Sequence, residues 1–131
     1  MVDRNELFEN LKTWILQLPS VTQAAHRFGG TEFQVEGLEF VHRHGPSFLD
    51  ICLSKSDQST ALKNRTAIPH RFAPQAGWVS FRIDKTEDVD EGKKLIQLAY
   101  ENAKISMEAH RTRRTRSELG QNPLTNAWFK V

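Results

Sequence analysis

The chain has 131 residues, a formal net charge of +2 from 18 Lys and Arg against 16 Asp and Glu, and a single cysteine. That length suits one domain with its own hydrophobic core, and the near balance of charge argues against a polyanion-binding surface over the whole domain. The lone Cys52 excludes an internal disulfide and suits a reducing compartment, while the lack of any apolar run of about eighteen residues and of a basic-then-apolar start argues against a membrane span or signal peptide. The expectation is a cytoplasmic protein without membrane contact.

Asp3 is placed to cap a first helix, with Glu6 three positions on and Leu7, Leu11, Trp14 and Leu18 recurring at spacings of three and four. Pro19 ends it. Ser20 to Phe28 reads as extended, Gly29-Gly30 breaks it, and Thr31 to Val35 is a second strand with Phe33 and Val35 on one face. Glu36-Gly37 then turns into the stretch on which the functional reading rests, Leu38 to Asp50. Alternation there puts Leu38, Phe40, His42 and His44 on one face, and Glu39, Val41 and Arg43 on the other. Gly45-Pro46-Ser47 bends the chain, and Phe48 to Leu53 returns as a strand. A three-residue loop sets His44 opposite Phe48 and His42 opposite Asp50, whereas a loop of two or four residues sends Asp50 to the other face.

Ser54 to Asn64 reads as a short exposed helix capped by Ser54 or Ser56, and Thr66 to Ala76 as a long Pro-rich loop of the kind that often carries function. After it, Val79, Phe81 and Ile83 alternate with Trp78, Ser80 and Arg82 in a half-buried strand. Asp84 or Thr86 is placed to cap the longest helix, with a core stripe of Val89, Ile96, Ala99, Ala103 and Met107 that runs to about His110. The fold class is α+β: an antiparallel sheet of about five strands with the N-terminal and C-terminal helices packed on one face. Residues 1–110 form one unit, and residues 111–131 a basic tail with the apolar tip Trp128-Phe129.

Several segments together resemble a known family. Phe28-Gly29-Gly30-Thr31-Glu32-Phe33, His42-Arg43-His44-Gly45 with Asp50, Pro69-His70-Arg71-Phe72, and Gly77-Trp78-Val79-Ser80-Phe81-Arg82 leading into Leu95 to Tyr100 are similar to the small "luciferase domain" family. The resemblance spans roughly Leu18 to Ala103, and its pattern carries over to His42, His44, Gly45, Asp50, His70, Gly77 and Trp78. It implies an uncharacterised domain of bacterial and fungal type, and the label implies neither light emission nor flavin chemistry. Arg111 to Val131 departs from the pattern. A looser likeness, in element order and a few apolar positions, is to the MmcQ/YjbR-like α+β domains, some of which are described as DNA-binding; likeness of fold alone does not carry function.

The chemistry-bearing residues are His42, His44, Asp50, His70 and Trp78, expected to line a polar pocket for a small ligand. His42, His44, Asp50 and His70 have donor types that suit a transition metal, but hydrogen bonding to Asp50 satisfies imidazoles on a strand equally well, so no metal is assigned. Ser47 and Ser80 lack the nucleophile-elbow pattern, Cys52 lies in an apolar strand, and Gly29-Gly30 leads into a strand rather than a helix, so no catalytic or phosphate-loop signature stands out. Whether the chain is an enzyme, and which cofactor it would use, is left open; in an enzyme, one His would carry the proton and Asp50 would orient it. The alternative function is a nucleic-acid or protein-interaction module using Arg111, Arg113, Arg114 and Arg116, although cations at a helix end are usually solvated. Trp128 and Phe129 could dock on the same chain or on a second copy in a homodimer.

Overall fold

The computed structural model describes residues 3–26, 29–70 and 73–118; the side chains of His44 and of residues 113–118 lie outside that description. The Asp3 carboxylate accepts a hydrogen bond from the Asn5 backbone N–H (2.9 Å) and starts α1 (Arg4–Leu16), which buries Leu7, Phe8, Leu11 and Ile15. Beyond Pro19 the chain enters β1 (Val21–Ala25), then β2 (Thr31–Val35), β3 (Leu38–His44) and β4 (Phe48–Cys52). A short helix α2 (Lys55–Lys63), capped by the Ser54 hydroxyl, is followed by β5 (Ile68–Pro69), β6 (Trp78–Arg82) and α3 (Thr86–Glu118).

All neighbouring strands are antiparallel, in the order β1-β2-β3-β4-β6-β5. The sixth strand, beyond the five expected, is the two-residue β5 inside the stretch read as a loop. Its proline is tolerated because the strand lies at the sheet edge, where a missing N–H leaves no neighbour unpaired. The α+β arrangement read from the sequence is the one observed.

The core lies between one face of the sheet and the helices α1 and α3. Phe33, Val35, Val41, Leu49, Ile51, Val79 and Phe81 are buried on the sheet side, against Leu11 and Ile15 of α1 and Ile96, Ala99 and Ala103 of α3. Phe40 meets the Tyr100 ring at 6.0 Å, and the Tyr100 hydroxyl donates to the Pro19 carbonyl (2.7 Å), which ties α3 to the end of α1. A Cβ at Gly92 would come within 3.2 Å of Phe81 and 3.6 Å of Leu11, so α3 rests directly on both.

Local features of α3 and of β3 depart from the expectations. The first turn of α3 is held by Asp88, whose carboxylate accepts from the N–H groups of Asp84 (2.8 Å) and Lys85 (3.0 Å), rather than by Asp84 or Thr86. The helix then continues past His110 to Glu118, because arginine is a good helix former, no Gly or Pro intervenes, and Arg111 pairs with Glu108 one turn back (2.9 Å). Among the described residues no helix is long and apolar enough to cross a membrane.

A further departure sits in β3. Its register against β2 runs Glu32 to His42 and Phe33 to Val41, but then Gln34 to Glu39, which leaves Phe40 without a partner. This β-bulge gives two consecutive core residues, Phe40 (1% exposed) and Val41 (0%). Strict alternation therefore fails at this point: Phe40 and His42 do not share a face, and Glu39 comes round to the side of His42.

Candidate functional site

The face of the sheet opposite α1 and α3 carries the polar residues. Across β3, β4 and β6 the register aligns His42, Asp50 and Ser80 in one row, and the hairpin has the three-residue form that sets His44 opposite Phe48. Asp50 is 3% exposed, so its carboxylate must be partnered, and it is. One oxygen accepts from the Ser80 hydroxyl (2.7 Å); the other faces His42 Nε2 (2.8 Å) and His70 Nε2 (3.3 Å).

His42 is held from both sides. Its Nδ1 lies 2.9 Å from Glu39 Oε2 and its Nε2 faces Asp50, so both ring nitrogens meet carboxylate oxygens and both are placed to donate. Glu39 Oε2 is also 3.3 Å from His26 Nε2, and the His26 and His42 rings stack with centroids 4.1 Å apart. A polar chain thus runs from Ser80 through Asp50, His42 and Glu39 to His26, with His70 branching from Asp50.

Each member has a local structural reason for its position. Glu39 is brought in by the bulge at Phe40. His26 follows β1 and donates its backbone N–H to the Gly30 carbonyl (3.0 Å). Gly30, at φ +85, lies where a Cβ would sit 2.4 Å from the Arg43 carbonyl, and this close approach brings Gly30 against β3, with His26 over His42. His70 accepts the Ala73 backbone N–H at Nδ1 (2.9 Å), which leaves the proton on Nε2, directed at Asp50. Trp78 stands beside both His42 (5.5 Å between ring centroids) and His70 (6.0 Å), and its backbone carbonyl accepts from the buried Gln58 side chain (3.3 Å).

The electrostatics follow from this packing. Burial disfavours a charged His42 ring, but the hydrogen bonds to Asp50 and Glu39 and the negative charge of both outweigh it, and the pKa rises from 6.5 to about 9. Burial likewise pushes Asp50 upward, and the hydrogen bonds from His42 and Ser80 outweigh it, so its pKa is lowered. The Cys52 thiol, half-buried and opposite Trp78 in the ladder, is raised by desolvation and by Glu39, which keeps it protonated at neutral pH.

A pH dependence follows. A His whose pKa is raised on folding adds stability that is complete below 6.5 and is lost as pH rises through about 9; Asp50, with a lowered pKa, adds stability present above 3.8 and lost as pH falls through its depressed value. Among the described residues, Glu39, Asp50 and the His26 ring face His42, with Trp78 and His70 alongside. Urea midpoints measured with a chelator present are therefore expected to fall from pH 6.5 to 9, and His42→Gln to flatten that limb; a wild-type midpoint constant over this range would contradict the doubly bridged imidazolium.

Of the expected site residues, His42, Asp50, His70 and Trp78 come together. The His44 backbone is in β3, but its side chain lies outside the described residues. Trp128 and Phe129 lie outside them altogether. Arg111 pairs with Glu36 (2.6 Å) and Glu108; Arg113, Arg114 and Arg116 lie on helical backbone, with side chains outside the description. Ser80 donates directly to a carboxylate and not to an imidazole, unlike the nucleophile of a Ser-His-Asp triad. Sequence reasoning missed Glu39, His26 and Ser80 as members of the cluster. Glu39 sits three residues before His42, a spacing that has meaning only once the bulge is known.

No curated protein matches the chain. The family model described as Luciferase domain matches residues 37–99, just under half of the chain. The family resemblance read from the residues is thus shown for the stretch from β3 into α3, which holds Glu39, His42, Asp50, His70, Trp78 and Ser80, while His26 lies before it.

Proposed function

We propose that the polar face of the sheet binds a small polar ligand beside Asp50, His70 and Trp78, with His42 fixing the position of the carboxylate. The observation that supports this most is the convergence of two imidazoles on one oxygen of a buried carboxylate, next to an indole ring. A few convergent polar groups with shifted pKa values, bordered by an aromatic surface, are the usual makings of a ligand site. Hydrophobic packing on the opposite face supplies the core, so this charged row is an addition to the core and not part of it. Both nitrogens of His42, and both of His70, face hydrogen-bonding partners, which favours recognition over proton abstraction as their role.

A thermal-shift screen of a library of small polar metabolites tests the reading. At least one compound is expected to raise the wild-type melting temperature, by about 2.7 kcal/mol of added stability at a hundred times its Kd, with the shift lost in His70→Ala and reduced in Trp78→Leu. A screen without hits, or hits that shift wild type and His70→Ala equally, would overturn it.

A further inference from the structure

We propose that His26, Glu39 and His42 form a binding site for a divalent first-row transition metal ion such as Zn²⁺. This goes beyond the ligand reading: the three metal-binding side chains include only His42 from that site, with Asp50 common to both as the carboxylate behind His42. One ligand atom from each residue lies within 4.8 Å of the other two, with Glu39 Oε2 at 2.9 Å from His42 Nδ1 and 3.3 Å from His26 Nε2. An ion bound at about 2.0–2.2 Å from nitrogen and oxygen donors needs neighbouring ligand atoms roughly 2.8–3.1 Å apart in octahedral geometry and roughly 3.3–3.6 Å apart in tetrahedral geometry. The Glu39 distances already fall within these ranges.

Two further observations support the assignment. His42 turns its other nitrogen to Asp50 (2.8 Å), which is itself held by Ser80 (2.7 Å). An outer carboxylate on the far nitrogen is what orients a metal-binding imidazole and raises its basicity. The donor set of two imidazoles and one carboxylate also suits zinc, iron or nickel better than magnesium or calcium, which favour all-oxygen shells. Glu39 is the most exposed of the three side chains, at 27% against 9% for His26 and 11% for His42, so the ion would be reached from the Glu39 side. It would take the place of the proton shared by His42 Nδ1 and Glu39, leaving the Nε2 hydrogen bond to Asp50 intact.

The test uses the full chain produced without a histidine tag and stripped with a chelator. Titration with Co²⁺, read by its visible d–d absorption, and with Zn²⁺, read by calorimetry, is expected to saturate at one ion per chain. Glu39→Gln and His26→Gln should each weaken binding by about tenfold or more, and Ser80→Ala, which loosens Asp50, by a smaller factor. Far-UV circular dichroism establishes that each variant is folded; if His26→Gln is not, Glu39→Gln carries the test, since it keeps the shape of a half-exposed side chain. Lack of saturable binding, or saturable binding unchanged in Glu39→Gln, would overturn the proposal. Metal binding alongside a metabolite screen without hits would sink the ligand reading alone, and the reverse result would sink the metal site alone.

Discussion

Asp50→Ala is expected to lower folding stability by about 3 kcal/mol or more at neutral pH, the range seen when one partner of a buried charge pair is removed. The carboxylate is 3% exposed and serves three groups at once: the Ser80 hydroxyl, His42 Nε2 and His70 Nε2. Its removal takes the acceptor from the half-buried Ser80 hydroxyl and one of the carboxylates from the buried His42 ring, which still faces Glu39. Equilibrium urea unfolding measures the loss, and NMR of the ring protons should show the His42 pKa falling from about 9. Asp50→Asn, which keeps the shape and one carbonyl acceptor, should lose less. A loss under about 1 kcal/mol for the alanine variant would mean that the row His42, Asp50 and Ser80 is not the buried network described.

Gly77→Ala should be similarly damaging for a purely steric reason. Gly77 has φ +93, a left-handed conformation that strains any residue with a Cβ, and a Cβ built there would lie 2.1 Å from the Leu53 carbonyl oxygen. The backbone cannot simply withdraw, because Leu53 N–H donates to the Gly77 carbonyl (3.0 Å) in the same approach. Left-handed strain alone is on the order of 1–3 kcal/mol, and the overlap adds to it, so a loss of about 3 kcal/mol or more is expected from thermal or urea unfolding. Because Trp78 follows directly, its fluorescence should also change in whatever fraction stays folded. A variant as stable as wild type would contradict the close contact between the start of β6 and the end of β4.

The two predictions differ in how far the sequence alone could have reached them. Asp50 opposite His42 was one of the registers that Gly45-Pro46-Ser47 left open, and the pairing of β3 with β4 selects the three-residue loop among them. The helix stripes, β2 and β6 are legible, because Leu11, Ile15, Phe33, Val79 and Phe81 sit at spacings that only one secondary structure places on one side. Glu39 was not legible: nothing in Leu38 to His44 marks Phe40 as the residue without a partner, and the bulge arises from pairing with β2, a long-range event. His26 was hidden for a similar reason: its hydrogen bond to Gly30 and the close approach of Gly30 to β3 set it over His42. Trp78, expected among the residues of the polar pocket, stands on the polar face with its ring against two imidazoles.

The unpaired Phe40 also changes how this stretch should be compared with others. Upstream and downstream of it the two-residue rhythm of the strand is out of phase, so the carboxylate and imidazole that meet are spaced Glu-x-x-His in the primary structure, a spacing usually associated with helices. A relative that keeps His42 but gains or loses one residue between it and the preceding acid would swing that acid toward the greasy side of the sheet. Alignments that treat such single-residue shifts as harmless loop variation would then group chains whose central histidines have one carboxylate neighbour with chains that have two.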